Sequence, residues 1–470
     1  MPLILPGNVA SATAGGYEVA NSCRFNRGDS PGLTLTQSSP TDNNKWTFSC
    51  WFKIGALTSA EGWLFLAYSD STNMSALRMN GSGDSHTLAF WDYQSAYTGR
   101  LVTNRSFRDP SAWYHVVCVW DSDNGTAGNR MRMYINGTEE TSFSTDTNPD
   151  SGQSTIMNTS SQGLEVGRSN AESAYFDGYM AEVVFIDGTA YAASDFGEFD
   201  EDSPTIWKPK NVSGLTFGTN GFYLDFEASD NLGNDANGGT DLTEVNLDAT
   251  DQATDTPTNN FATLNPLYKL ANITFSEGDL VQTNSGSWQT GLSTIGVSSG
   301  KWYWECKFSA TTDAEHGFIG VCKTDAGEEN TIILTGNSVN SWGYENTSGY
   351  KNDSTVYATG SYASWGVGDI VGCYLDLDNL KIYWAKAGAI QNSGTGIAIT
   401  AGTYVCGISS YYGTMQMNYG NPAFAITSGN TDAKGYGNFE YSPNDGGASS
   451  FDSAAKDFLA LNTKNLAEFG

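Results

Sequence analysis

The feature that most restricts this chain is the near absence of helical periodicity. Apolar residues come in short β-branched and aromatic runs, each broken by Gly, Asn, Asp or Ser, which is the pattern of strands and turns. Strands are expected at 46–54, 61–69, 86–93, 113–121, 130–137, 163–168, 178–187 and 221–227 in the first half, and at 300–310, 316–324, 340–345, 369–378, 380–388, 403–411 and 414–420 in the second. Residues 453–466 are the only stretch that reads as a helix. In Trp113-Tyr-His-Val-Val-Cys-Val-Trp-Asp121 both faces are largely apolar, as in a strand buried on both sides of a sandwich. Leu375-Asp-Leu-Asp-Asn-Leu-Lys-Ile reads as two strands turning at Asp378-Asn379, because Asp and Asn tolerate positive φ. The expected fold class is all-β: two antiparallel β-sandwiches joined by a linker.

Length and composition narrow the classes further. At 470 residues the chain holds more than one domain. Aromatic residues make up 13 %, too many for a disordered chain. A net charge of −29 repels phosphates, so nucleic acid is not an expected partner. No apolar run is long enough to insert in a membrane as a helix. The opening Met1–Tyr17 has no basic region, and Pro6 cuts off its apolar run, so a secretory signal is not expected there. The seven cysteines show no metal-like spacing, and six of them sit in apolar runs; they read as reduced core residues of a protein folded in a cytoplasm.

Two family resemblances follow from quoted motifs. Ser22-Cys-Arg-Phe25, Trp46-Thr-Phe-Ser-Cys-Trp-Phe-Lys53, the Trp113–Asp121 run with Met133-Tyr-Ile-Asn-Gly137, Leu164-Glu-Val-Gly-Arg168 and Phe176-Asp-Gly-Tyr-Met-Ala-Glu-Val183 resemble the laminin-G/concanavalin-A-like jelly rolls over about 17–227. Gly300-Lys-Trp-Tyr-Trp-Glu-Cys306, Gly317-Phe-Ile-Gly-Val321, Ser341-Trp-Gly-Tyr344, Val367-Gly-Asp-Ile-Val-Gly-Cys-Tyr-Leu-Asp376 and Leu380-Lys-Ile-Tyr-Trp384 resemble, in order, the strands of a SPRY sandwich over about 270–425. The opening Met1-Pro-Leu-Ile-Leu-Pro-Gly-Asn8, the 249–267 junction and the 458–466 ending also resemble a group of marine bacteriophage virion proteins. The resulting division is a docking segment at 1–16, a jelly roll at 17–227, a linker at 228–266, a SPRY-like sandwich at 267–430 and a tail at 431–470.

A catalytic centre is not expected. The jelly-roll resemblance brings in glycanases that carry paired carboxylates on one strand. The nearest sequence is Glu198-Phe-Asp-Glu-Asp202, flanked by Ser194-Asp-Phe-Gly and Ser203-Pro204, which reads as a solvated loop. His115 lies in an apolar strand, and His86 and His316 sit at turns. Laminin-G-like lectins often hold calcium at a rim, so Asp121, Asp123, Asn124 and Asp225 are candidate calcium ligands, their hard oxygens being of the right kind. Sugar sites stack aromatic rings on pyranose faces and read hydroxyls with amides. The candidates are Trp91, Tyr93 and Tyr97 in the first sandwich, and Trp342, Tyr344, Tyr350, Tyr411 and Tyr412 in the second, where SPRY domains use loops to bind partners.

The virion resemblance implies a structural protein on the virion surface, of tail-fibre or appendage type, assembled in the host cytoplasm. It would recognise a host surface glycan or protein and dock onto other virion proteins through residues 1–16. A capsid decoration or head-fibre protein is the alternative, and a glycan depolymerase stands behind both. The resemblance also implies a homo-oligomer, trimeric as fibre proteins commonly are, although no heptad repeat is present to build one.

Overall fold

The computed structural model describes residues 3–5, 16–55, 57–58, 60–81, 83, 86–268, 272–311, 316–324, 336–347, 349–352, 355–357, 361–444 and 457–470. The chain divides into two compact units, one spanning Ala14–Thr258 and the other Asn259–Gly470 together with Met1–Thr13. Both are built from antiparallel sheets, as the strand pattern requires.

In the first unit one eight-stranded sheet runs Thr138–Glu139, Met131–Ile135, Trp113–Asp121, Lys45–Ile54, Gly178–Asp187, Ser22–Phe25 and Gln252–Ala253, with Phe222–Leu224 also paired to Gly178–Asp187. The facing sheet runs Phe143–Thr147, Tyr97–Ser106, Thr87–Gln94, Asn73–Met79, Gly62–Asp70, Gly163–Val166, Gly32–Thr36 and Thr243–Val245. Alternation assigns the faces. Trp46, Phe48, Cys50, Phe52 and Ile54 enter the main core, where they meet Val116, Cys118 and Trp120 of the neighbouring strand and Phe65, Leu77 and Phe90 of the opposite sheet. The other face of the first sheet is buried too. Val117, Val119, Val184 and Ile186 pack under Phe196, Val212 and Phe217 from the chain after 190, and Trp51, Trp113 and Tyr179 pack with Val19 and Ala253. That second layer is why the Trp113 run is apolar on both faces.

The Asn136-Gly137 hairpin forms as its sequence suggests: both residues have positive φ, and Thr138 pairs with Ile135. Gly137 has a second reason to lack a side chain, since a Cβ there would lie 2.3 Å from the Trp207 ring.

Residues 228–258 are not the linker expected. Leu232 and Leu242 enter the main core, and Thr243–Val245 and Gln252–Ala253 add an edge strand to each sheet. The stretch looks polar because its acids work as internal ligands. Asp235 accepts from the backbone N–H of Tyr223, Asn237 and Gly239. Asp255, fully buried, pairs with the buried Lys53 ammonium at 2.7 Å and accepts the Trp113 indole N–H at 3.0 Å.

The second unit has a nine-stranded sheet, Ile273–Ser276, Val281–Asn284, Gly413–Asn418, Lys301–Thr311, Ile370–Asp376, Lys381–Lys386 and Ala389–Ile390, with Ile397–Ala398 and Leu459–Ala460 attached at Lys381–Lys386 and Lys301–Thr311. Its partner sheet runs Gln289–Val297, Tyr404–Ser410, Gly317–Lys323, Ser341–Glu345, Tyr350–Asn352 and Thr355–Tyr357. Trp302, Trp304, Phe308, Trp384, Tyr344 and Tyr404 fill the space between them.

Two expectations need correction here. The tail helix is Thr463–Phe469, capped by Asn462, whose side chain accepts the Asn465 N–H; Leu459–Ala460, expected inside the helix, instead pairs in parallel with Trp302 and Tyr303. In the Asp376–Lys381 hairpin the left-handed residue is Leu380 rather than Asp378 or Asn379, because the Asp376 carboxylate holds Asn379 through its backbone and side chain. The docking expected of residues 1–16 falls mostly outside the described residues; of those described, Ile4 N–H donates to Thr294 C=O at 2.9 Å, and Gly296 N–H donates to Ile4 C=O at 3.0 Å.

Candidate functional site

The first sandwich brings Trp91, Tyr93 and Tyr97 together. Trp91 and Tyr93 are two residues apart on Thr87–Gln94 and so share its outward face, and Tyr97 lies opposite Tyr93 on the next strand. The Tyr93 and Tyr97 rings meet edge-on at 5.0 Å. Tyr97 is 45 % exposed, whereas Trp91 is only 6 % exposed and packs against Trp63 at 5.6 Å. Two arginines complete the row. The Arg78 guanidinium lies 4.9 Å from the Trp91 ring and 5.3 Å from Trp63, and that of Arg100 lies 4.4 Å from Tyr97. Tyr68 and Met74 continue the same face. Sequence reasoning missed Arg78 and Arg100. Their signal was the register: Arg100 falls opposite Trp91 once the Thr87–Gln94 and Tyr97–Ser106 strands are paired.

The second-sandwich candidates separate into core and surface. Trp342 and Tyr344, expected on a ligand loop, stand on Ser341–Glu345 and are buried; Tyr344 packs on Tyr362 at 5.1 Å and its hydroxyl donates to Ala363 C=O. Alternation sends both inward, since Trp342 and Tyr344 are two apart. Tyr350 is half-buried and stacks on Trp384 at 6.1 Å. Tyr411 and Tyr412 stay half-exposed just after Tyr404–Ser410, 4.8 Å apart, and join Trp288 and His316 in a patch with Tyr411 5.9 Å from each.

The calcium candidates do not assemble. Asp123 is held by the Lys45 ammonium at 3.2 Å and by Asn44, Asn124 Oδ1 accepts from Thr126 N–H, and Asp225 accepts from Glu227 N–H. Asp121 accepts weakly from Asn124. Among the described residues no three His, Cys, Asp or Glu side chains gather as a metal site. Of the acidic run, Glu198 and Asp202 are exposed, and Asp200 turns inward to accept the N–H groups of Asp202 and Ser203 beside Lys208. The Asp200 carboxylate shapes a turn.

His115, Glu182 and Glu305, all buried, have partners inside the protein. His115 Nδ1 accepts the Trp207 indole N–H at 2.9 Å, which puts its proton on Nε2, 2.8 Å from Ser49 Oγ; burial drives its pKa down to about 3. Glu182 sits in a bulge of Gly178–Asp187 at φ 50°, with Tyr223 Oη 2.9 Å away and Tyr17 Oη 2.8 Å beyond that; burial first, then the Asp225 charge, raise its pKa to about 8 against the hydrogen bonds from Tyr223 and Tyr17, which lower it. Burial likewise raises Glu305 to about 7, although it accepts from Tyr303, Asn418 and the N–H groups of Glu440 and Tyr441. All seven cysteines are free and buried.

Residues 27–193 match the concanavalin A-like lectin/glucanases superfamily, and residues 301–421 match the SPRY domain. The chain therefore carries a concanavalin A-like domain followed by a SPRY domain, the lectin-like type of fold that the motifs indicate. It is 26 % identical over 160 residues to a probable ATP-dependent RNA helicase, ddx1, of Dictyostelium discoideum, a match covering 34 % of this chain and 19 % of that protein. The chain thus spans about a fifth of that curated relative. Similar solved structures include the SPRY domain of human HERC1, 19 % identical with a TM-score of 0.28, covering 33 % of this chain and 96 % of that one. A heptameric pentraxin from Limulus polyphemus is 17 % identical with a TM-score of 0.27, covering 38 % of this chain and 80 % of the other.

Proposed function

We propose that the chain is a non-enzymatic recognition protein, a phage virion component of tail-fibre or appendage type that binds a host surface glycan. The reading rests on the aromatic and arginine row of the concanavalin A-like domain. Tyr93 and Tyr97 offer ring faces and edges for the apolar side of a pyranose, and Arg100 beside them donates to ring hydroxyls. The half-exposed Trp288, His316, Tyr411 and Tyr412 patch supports a second contact surface in the SPRY domain. The virion assignment is carried by the sequence resemblance.

The test uses the full chain on an array of bacterial surface glycans. Wild type retains particular glycans, and the Tyr97→Ala/Arg100→Ala variant binds them at least about tenfold more weakly, the equivalent of about 1.4 kcal/mol. Undiminished binding by a folded variant overturns the site. Release of reducing sugar from a bound polysaccharide overturns the non-enzymatic reading, and labelling of the capsid shell rather than the tail by electron microscopy moves the protein to the decoration class.

A further inference from the structure

The aromatic and arginine row carries a positive charge that its own chain does not answer. The Arg100 guanidinium lies 4.4 Å from the Tyr97 ring, a cation–π contact that holds it on the outward face. Arg100 makes no ion pair and no hydrogen bond among the described residues, and its Nε is buried without a partner. Arg78, further along the row, differs: its guanidinium is bound by the Glu61 carboxylate.

The sheet register keeps acids away from Arg100. Trp91 stands opposite it on one neighbouring strand and Thr147 on the other, and Val102 follows on the same face of its own strand. None of these is charged. The carboxylates closest in the two flanking strands, Asp92 and Asp146, occupy the alternate positions and so point to the opposite face. Asp92 is fully buried and accepts from Ser75, Gln94, Thr98 and the Ile156 N–H. Asp146 lies opposite the core residue Leu101 and accepts from Asn148.

This arrangement selects an anionic ligand group. Arg100 is half-buried beside Tyr97, which is 45 % exposed. A neutral sugar laid on Tyr93 and Tyr97 would strip water from the guanidinium and leave its charge without a counter-charge, which is costly. A carboxylate or a sulfate ester on that sugar offsets the loss, because its oxygens accept from the planar fork together. Salt screens charges beyond about 8 Å, so at contact the ligand meets Arg100 rather than the net charge of −29. Resting on the glycan-binding reading of this row, we propose that it takes an acidic glycan, one whose sugar residue on Tyr93 and Tyr97 carries a carboxylate or sulfate ester held by Arg100.

The experiment takes each glycan that the full chain retains on the array and compares it with its neutralised form, carboxyls reduced to alcohols or sulfates removed by solvolysis. The treatment that weakens binding tells carboxylate from sulfate. Retained glycans are expected to be acidic and to bind at least about tenfold more weakly once neutralised, the size of one charge-assisted pair. The sign is diagnostic, because without an anion site the net charge of −29 makes the neutralised form bind equally well or better. This comparison alters the ligand and needs no variant. In addition, Arg100→Gln is expected to bind both forms alike, and Tyr97→Ala to weaken both. Neutralised glycans binding as tightly as their parents, or retention of neutral glycans only, overturns the anion site and leaves the glycan reading standing. An acid preference that survives in folded Arg100→Gln overturns the role of Arg100, and retention of no glycan overturns both readings.

Discussion

Replacing Glu182 by Gln should change the pH dependence of the first unit in a calculable way. The unfolded carboxyl titrates near 4.5 and the folded one near 8. Between those values the folded chain keeps a proton that the unfolded chain has released, so the contribution of Glu182 to stability falls as pH rises. At about 1.36 kcal/mol per unit the whole window is worth at most about 5 kcal/mol. His115 has the opposite sign. Its folded pKa of about 3 lies below the unfolded 6.5, so stability rises with pH up to about 6.5. His86, also lowered by burial, adds to that rise. The carboxyl and the imidazoles therefore oppose each other between pH 4.5 and 6.5, and Glu182 is uncovered from pH 6.5 to 8. Over those last units wild type should lose about 2 kcal/mol from the first unit. Glu182→Gln keeps a carbonyl for Tyr223 and has no charge to bury, so its stability should stay flat there. The assay is urea unfolding of the full chain at pH 6.5 and 8 in one ionic strength, followed as separate transitions for the two units. Equal losses in wild type and variant would show that Glu182 is ionised in the folded chain, and the reasoning would fail.

Other consequences are direct. Asp255→Ala removes the carboxylate paired with the buried Lys53 ammonium and should cost about 3–5 kcal/mol in the first unit's transition while leaving the second unchanged. Gly137→Ala forces a Cβ against the Trp207 ring at a positive φ and should lower the same transition by about 2–4 kcal/mol, with the indole fluorescence of Trp207 altered. A thiol reagent such as dithionitrobenzoate should label none of the seven cysteines in the folded chain and all seven in denaturant, since all are buried and burial pushes up the pKa of Cys23, Cys50, Cys118, Cys306, Cys373 and Cys406.

How far the sequence could be read follows from what alternation encodes. It reports a strand and its two faces, so Lys45–Ile54, Trp113–Asp121 and Lys301–Thr311 were legible nearly residue for residue. It does not report which face meets a partner. Trp342 and Tyr344 were ligand candidates because SPRY domains bind partners through loops, yet their spacing of two on a strand turns both into the core. Residues 228–258 failed in the other direction. Their acids suggested solvent, but Asp235 and Asp255 are consumed by backbone N–H groups, Lys53 and Trp113 from distant parts of the chain.

The pairing of Ile4 with Ile295 bears on how the protein is made. The whole first unit is inserted between a bridging residue, Ile4, and the sheet that receives it. On a ribosome adding roughly 5–20 residues per second, the first sandwich is complete while Leu3–Leu5 still waits tens of seconds for its partner. The leading residues must stay unpaired through that interval without joining an open edge of the sandwich formed first. A chain divided after Thr258 would therefore not yield two intact halves: the downstream part lacks the Ile4 bridge, which lies ahead of the first unit.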